Sequence, residues 1–200
     1  MSAPLRFPAA EVFIETGHGA GDTFAEVLAP PYSYKVLHTV ECDPVVVQRA
    51  TDRFAADARV HVHQGTSPEV LPHICDPDRS TVFWLDAHYS GGLYGTQDME
   101  PKFGECPVLA ELAAIRAVPW RTMPPIFIDD APLFLGGPYT REYAASNPAA
   151  YPSLDALLAA LPEGYKVTVH RQWRPIRAFS NLAYIGRRRY LRCLPPRPVQ

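Results

Sequence analysis

Short apolar runs alternate along the chain with longer amphipathic segments. The apolar runs at 11–14, 35–40 and 81–85 have lengths typical of strands, and the last is continuous, as expected for a parallel strand covered on both faces. The segments between them repeat apolar residues at helical spacing and end near proline or glycine. Strands that alternate with helices predict a parallel sheet with right-handed crossovers.

Five strand–helix units and a closing hairpin follow from this pattern. We therefore predict an α/β fold, a Rossmann-like doubly wound mixed sheet of seven strands with a C-terminal antiparallel hairpin. The ligand crevice of such a sheet lies where the strand order reverses, here between the first and fourth strands. The predicted strands are 11–14, 35–40, 60–64, 81–85 and 125–128, the predicted helices are 22–28, 44–56, a short one after Pro68, 107–118 and 153–161, and the hairpin pairs 165–170 with 181–186.

Two helices carry more detailed expectations. Asp22 or Thr23 is expected to cap the first helix, because short polar side chains accept hydrogen bonds from free backbone N–H groups. The fourth helix is expected to turn one apolar stripe towards the core. That stripe consists of Leu109, Leu112 and Ile115.

Two long irregular segments interrupt the pattern, at 89–106 and 132–151. The first is rich in glycine and tyrosine and is too long for a plain connector, so we predict a lid that closes over bound ligands. Tyr89, Tyr94 and Phe103 are candidates for lining an acceptor pocket beneath it, although aromatic packing alone would also explain them.

The first predicted strand runs into a turn with three glycines on alternate positions, Gly17, Gly19 and Gly21, preceded by Glu15. Glycine suits a sharp strand-to-helix turn because it adopts backbone angles that other residues avoid, and it lets a ligand approach the backbone. The dinucleotide fingerprint would need its third glycine at position 22, which is Asp22. The spacing therefore counts against a nicotinamide dinucleotide.

Polar residues follow each of the five predicted parallel strands. Any one acid in such a place is often only a helix cap, but five on one rim predict a ligand site. Glu41, twenty residues beyond Gly21, is placed to accept both hydroxyls of a ribose, which predicts a nucleoside without identifying it. The polar residues are Glu15, Glu41, Thr66 with Ser67, Asp86, and Asp129 with Asp130.

The acid-x-Gly-x-Gly-x-Gly motif at 15–21, together with Glu41 and the strand order, resembles the class I methyltransferases that use S-adenosylmethionine (SAM). Segments 83–88 and 126–130 resemble more narrowly the metal-dependent O-methyltransferases of the macrocin type. This resemblance implies that Asp86, Asp129 and Asp130 hold a divalent metal ion such as Mg²⁺.

The same resemblance implies a cofactor site, and the candidate catalytic residues are Asp86 and His88. His88 stands where the narrower group often has a second aspartate, and it is either a base or fourth metal ligand, or a residue that steadies the loop. Thr66 and Ser67 stand where an acid often binds the adenine amine. The implied cofactor-binding residues are Glu15, Gly17, His18, Gly19, Gly21, Asp22, Thr23, Glu41, Cys42, Gly65, Thr66, Ser67 and Asp86.

Composition adds few constraints. A chain of 200 residues with 47% hydrophobic content suits one globular domain over 1–200, with a core at about 11–190. Its net charge is −2. A basic, proline-rich tail is expected over 187–200, where a homodimer contact stays open. Net charge favours neither nucleic acid nor membrane as a partner, and four cysteines without metal spacing suggest reduced thiols in a cytoplasmic protein.

The predicted function is SAM-dependent O-methylation of a small hydroxylated acceptor, such as a sugar, a diol or a natural product, assisted by a divalent metal. Two alternatives stay open. One is a SAM-binding or nucleoside-binding protein without activity. The other is a nicotinamide-dependent oxidoreductase or epimerase, against which the glycine spacing counts.

Overall fold

The structure is a computed structural model that describes residues 7–89, 102–135, 151–177 and 183–196. One mixed sheet runs through it, with the strand order β3-β2-β1-β4-β5-β7-β6. The seven strands are β1 (Val12–Thr16), β2 (Val36–Glu41), β3 (Val60–Gln64), β4 (Thr81–Leu85), β5 (Ile126–Ile128), β6 (Lys166–Arg177) and β7 (Ala183–Leu194).

Strands β1 to β5 are parallel, and β7 is antiparallel to both β5 and β6. The strand order reverses between β1 and β4, which confirms the predicted fold class and the predicted point of reversal. The helices are α1 (Asp22–Leu28), α2 (Pro44–Phe54), α3 (Ser67–Ile74), α4 (Val108–Ala117), α5 (Ala131–Phe134) and α6 (Leu154–Ala160).

The central strands are buried on both faces, which explains their continuous apolar runs. One face of the sheet packs against α3, α4, α5 and α6 through residues such as Ile14, Phe83 and Leu112. The other face packs against α1 and α2 through Phe13 and Trp84. Because β1 and β4 lie at the centre of this sandwich, the residues that follow them are held in place by both layers.

Several local predictions are wrong. Gly21, in the left-handed conformation, occupies the N-cap position of α1, and no side chain caps that helix, so neither Asp22 nor Thr23 does so. Leu109 is 37% exposed, because α4 instead turns Val108 and Glu111 towards the core beside Leu112 and Ile115. A short helix, α5, begins the segment that was expected to be irregular from 132 onwards.

The predicted tail is also wrong for most of its length, because β7 continues to Leu194. Leu191 and Cys193 are fully buried and pair with Ile128 and Ile126 of β5. Alternation of apolar and basic residues therefore places this basic segment in the sheet, where composition alone indicated a solvated terminus.

Parts of two further predictions lie outside the described residues. The predicted lid includes 90–101, and Tyr94 lies within that range.

In the part of the chain that the structure describes, no helix is both long enough and apolar enough to cross a membrane.

Candidate active site

The glycine turn packs directly against the end of β4. Gly17 has φ 74°, and a Cβ atom there would lie 2.4 Å from the Asp86 carbonyl oxygen, so only glycine fits. Gly21 has φ 68°, and a Cβ atom there would lie 2.3 Å from Nε2 of His18. The backbone N–H of Gly17 also donates to the Val40 carbonyl at 2.9 Å. The turn is therefore shaped by its contacts with the ends of β2 and β4.

Glu15, His18 and Thr39 form a buried network of hydrogen bonds beside the glycine turn. The Thr39 hydroxyl donates to Glu15 Oε2 at 2.8 Å, and His18 Nδ1 lies 3.1 Å from the same oxygen and 3.0 Å from the Thr39 hydroxyl. All three residues are buried. Burial raises the pKa of Glu15, and the hydrogen bond to His18 offsets part of this rise. Glu15 and His18, both predicted to bind cofactor, thus direct their side chains into the protein.

Glu41 joins the end of β2 to the glycine turn. Its Oε2 accepts from the Gly19 N–H at 3.2 Å, and its Oε1 accepts from the N–H groups of Cys42 at 2.8 Å and Asp43 at 3.0 Å. The side chain is half-buried. The carboxylate is therefore held in a fixed orientation at the rim of the crevice, beside the exposed Cys42.

The remaining residues predicted to bind cofactor occupy the starts of two helices. Gly65 donates its N–H to the Glu41 carbonyl at 2.9 Å, which brings the end of β3 to the same rim. Thr66 is the N-cap residue of α3, and its hydroxyl is hydrogen-bonded to the Glu69 carboxylate. Ser67, the first residue of α3, and Thr23, the second residue of α1, are buried, whereas Asp22, the first residue of α1, is exposed.

Three titratable side chains converge at the ends of β4 and β5. Asp86, His88 and Asp130 each place a potential ligand atom within 4.8 Å of the other two. His88 Nε2 lies 2.9 Å from Asp130 Oδ2, and His88 Nδ1 lies 3.4 Å from Asp86 Oδ1. Burial alone would lower the pKa of His88, but Asp130 and Asp86 together raise it well above 6.5. In this arrangement the ring of His88 lies between the two carboxylates.

This grouping differs from the three aspartates inferred from the sequence, because His88 takes the place of Asp129. The Asp129 N–H continues the β5 ladder by donating to the Leu85 carbonyl at 3.0 Å, and the residue is buried. Asp130 then adopts a left-handed conformation, with φ 51°, and the chain changes direction. Neighbouring aspartates consequently point to different places.

No known protein-family description and no curated protein matches this sequence. Solved structures do match. A spermidine synthase from Thermotoga maritima shares 14% identity with a TM-score of 0.53, over 93% of this chain and 53% of that one. A precorrin-6y C5,15-methyltransferase from Geobacter metallireducens GS-15 shares 14% identity with a TM-score of 0.52, over 96% of this chain and 82% of that one.

The O-methyltransferase TomG from Streptomyces achromogenes, involved in tomaymycin synthesis and solved with SAM, shares 17% identity with a TM-score of 0.51, over 93% of this chain and 74% of that one. The fold is the class I methyltransferase fold. This chain spans about half the length of the spermidine synthase. In this methyltransferase fold the glycine turn and Glu41 lie on one side of the switch point, and the Asp86–His88–Asp130 cluster lies on the other.

Sequence reasoning missed one acid of the site, Glu111. It is 1% exposed and lines the same cavity as Asp86, His88 and Asp130. Burial raises its pKa to about 7, and the hydroxyls of nearby residues offset part of the rise. In the structure Glu111 occupies a core-facing position of α4, beside Leu112 and Ile115. An acid at such a position is rarely buried without a partner or a function.

We expect Glu111→Gln to change how stability depends on pH. Because the pKa of Glu111 rises from 4.5 to about 7 on folding, its contribution to stability is full below pH 4.5 and is lost as the pH rises to 7. The free energy of unfolding of the native protein should therefore fall by roughly 2–3 kcal/mol relative to the variant between pH 5 and pH 8. Urea unfolding of both proteins in EDTA measures the difference, and parallel pH profiles would contradict the expectation.

Proposed function

We propose that this protein is a SAM-dependent methyltransferase that methylates a hydroxyl group of a small acceptor, with a divalent cation held by Asp86, His88 and Asp130. One observation carries the proposal. The cluster at the end of β4 lies in direct contact with the glycine turn, since Gly17 packs on the backbone of Asp86 and Ala87. A cofactor held by the turn and an acceptor held at the cluster would therefore be neighbours, as group transfer requires.

The residues at the turn fit the nucleoside part of SAM. Glu41 presents a carboxylate whose orientation is set by three backbone N–H groups, and such an acid after the second strand suits two ribose hydroxyls. Gly65 and Thr66 follow the end of β3, where their backbone and hydroxyl groups would hydrogen-bond to adenine. SAM itself supplies an electrophilic methyl group on a sulfonium centre.

The cluster fits a divalent cation. Two carboxylates and one imidazole within 4.8 Å of one another can each offer one ligand atom. Because one donor is nitrogen, the set suits Mn²⁺, Fe²⁺ or Zn²⁺ better than Mg²⁺, which prefers oxygen. Such a cation lowers the pKa of a hydroxyl that it contacts. To bind it, His88 must present a ring nitrogen that carries no proton.

The side chains around the cluster would position the acceptor and receive its proton. Phe134 and Tyr151 line the cavity beside His88 and exclude water from one side of it. His88 is already engaged by two carboxylates, so we assign proton acceptance to Glu111, which lines the same cavity outside those ion pairs. Asp86 links both halves of the site, because its backbone contacts Gly17 and its carboxylate contacts His88.

Calorimetry with S-adenosylhomocysteine, SAM and NAD tests the cofactor assignment. We expect the first two to bind and NAD to bind more weakly or not at all, whereas tighter binding of NAD would favour an oxidoreductase or epimerase. Methyl transfer to a panel of catechols, sugars and other diols, assayed with Mn²⁺, Mg²⁺ and EDTA, tests the reaction. Cofactor binding without transfer to any acceptor would favour a binding protein, and full activity in EDTA would exclude the metal.

Glu41→Ala is expected to weaken S-adenosylhomocysteine binding by roughly 1.5–3 kcal/mol, because two ribose hydroxyls lose a charged acceptor. This corresponds to an increase in Kd of about 10-fold to 150-fold. Calorimetry measures it, and thermal unfolding checks that the turn, whose Gly19 N–H also loses a partner, stays folded.

Glu11→Ala is the matched control. Glu11 pairs with Lys35 at the opposite end of β1, 2.9 Å away, and is remote from the crevice. Its removal should leave the affinity unchanged. Equal affinities for the Glu41 and Glu11 variants would show that Glu41 does not contact the ligand.

A further inference from the structure

Three histidines share one face of the sheet at its β3 edge, away from the proposed active site. His38 of β2 stands opposite His61 of β3 in the register, and His63 follows two residues later on the same face. Strand β1 lies between β2 and β4, so at a spacing of about 4.8 Å per strand His38 lies roughly 10 Å, and His61 and His63 roughly 14 Å, from strand β4. The proposed methyl transfer uses none of the three.

Their rings are in direct contact. His38 Nδ1 lies 2.9 Å from His63 Nε2. The ring of His61 stacks on that of His38, with centroids 5.1 Å apart and planes inclined by 28°. His61 is exposed, whereas His38 and His63 are half-buried. Two ring nitrogens therefore face each other beneath a third imidazole that solvent can reach.

This arrangement disfavours protonation of the imidazole rings. Burial, together with the neighbouring His63 and His61, lowers the pKa of His38 to about 4. Burial also lowers the pKa of His63. Both imidazoles are thus neutral near pH 7, which is the form that binds metal ions.

We propose that His38 and His63 bind a transition-metal ion of intermediate softness, such as Zn²⁺, with His61 as a third ligand after rotation of its side chain. Two Zn–N bonds of about 2.0–2.1 Å at a tetrahedral angle place the nitrogens about 3.3 Å apart. The observed pair is 2.9 Å apart, so binding needs the nitrogens to separate by about 0.4 Å and both rings to turn their lone pairs towards the ion. The proton of the hydrogen bond moves to the other nitrogen of its own ring. Imidazole ligands distinguish this site chemically from the carboxylate-rich cluster at β4 and β5.

Zn²⁺ titration by calorimetry, in an Asp86→Asn/Asp130→Asn background, tests the proposal. That background removes two of the three ligands of the other cluster, so any remaining stoichiometric site lies elsewhere. We expect one equivalent of Zn²⁺ to bind. Adding His38→Gln or His63→Gln should raise the Kd for Zn²⁺ by about tenfold or more, because each variant removes one ligand. His61→Gln should raise it by a smaller factor, because His61 binds only after its side chain rotates.

His73→Gln is the control, since His73 is an exposed histidine of α3 outside the group. It should leave Kd unchanged. Electron paramagnetic resonance with Cu²⁺ as the probe should show nitrogen ligands in the aspartate background and fewer of them in His63→Gln, whether or not that variant is less stable. The proposal is overturned if Zn²⁺ binding disappears in the aspartate background, or if His38→Gln and His63→Gln bind as tightly as His73→Gln.

Discussion

Asp130→Asn is expected to lower the affinity of the protein for Mn²⁺ by about 100-fold, because removing a direct ligand should cost at least as much as removing a partner behind a ligand. Asparagine is the informative replacement. Asp130 has φ 51° and ψ 42°, a left-handed conformation that asparagine tolerates as well as aspartate does. The variant therefore removes one negative charge at unchanged backbone strain. Titration of Mn²⁺, followed by electron paramagnetic resonance, measures the loss without needing the acceptor.

Asp129→Asn is the matched control, since it changes the same group one residue earlier. Asp129 is buried but lies outside the Asp86–His88–Asp130 group, so its variant should retain most of the Mn²⁺ affinity. The three-aspartate arrangement inferred from sequence predicts equal losses instead. Equal losses for the two variants would therefore contradict the grouping that the structure indicates.

Gly17→Ala is expected to destabilise the fold by roughly 2–5 kcal/mol and to abolish S-adenosylhomocysteine binding. The left-handed backbone contributes about 1–2 kcal/mol of this and overpacking about 1–3 kcal/mol. The added Cβ would meet backbone atoms of Asp86 and Ala87 at 2.4–2.7 Å, and backbone gives way less easily than a flexible side chain. Urea unfolding measures the stability, and calorimetry measures the binding.

Gly104→Ala separates the two contributions. Gly104 has φ 75°, close to the 74° of Gly17, but a Cβ there would meet nothing within 4 Å. This variant should lose only the backbone part of the free energy of unfolding, about 1–2 kcal/mol. If both variants were destabilised equally, close packing of the turn on β4 would not be what requires glycine at position 17.

The fold was predictable because its signals are local. A continuous apolar run such as 81–85 identifies a strand buried on both faces, and alternation of strands with helices leaves few topologies to choose from. Polar residues after those strands had to share one rim, because parallel strands end on the same side. Glu41, Asp86 and Asp130 were identified as site residues on that basis, before any side-chain position was known.

Side-chain direction, in contrast, was decided by tertiary structure. His18 follows a glycine of the turn in sequence, yet it is buried because Glu15 and Thr39, from two adjacent strands, offer it hydrogen bonds. Glu111 reads as an ordinary polar position of a helix until α4 packs on the sheet and turns it into the cavity. The burial of His18 and of Glu111 depends on residues that are distant in sequence.

The sequence by itself determined the alternation of strands and helices, the reversal of strand order between β1 and β4 and the types of residue at the strand ends, since these follow from local periodicity and chain connectivity. Only the tertiary structure decided that His88 rather than Asp129 joins Asp86 and Asp130, and that the basic segment ending at Leu194 is a strand. The physical reason is the same in both cases. The left-handed conformation of Asp130 and the pairing of β7 with β5 set the directions of the side chains. Residue type alone does not specify these directions.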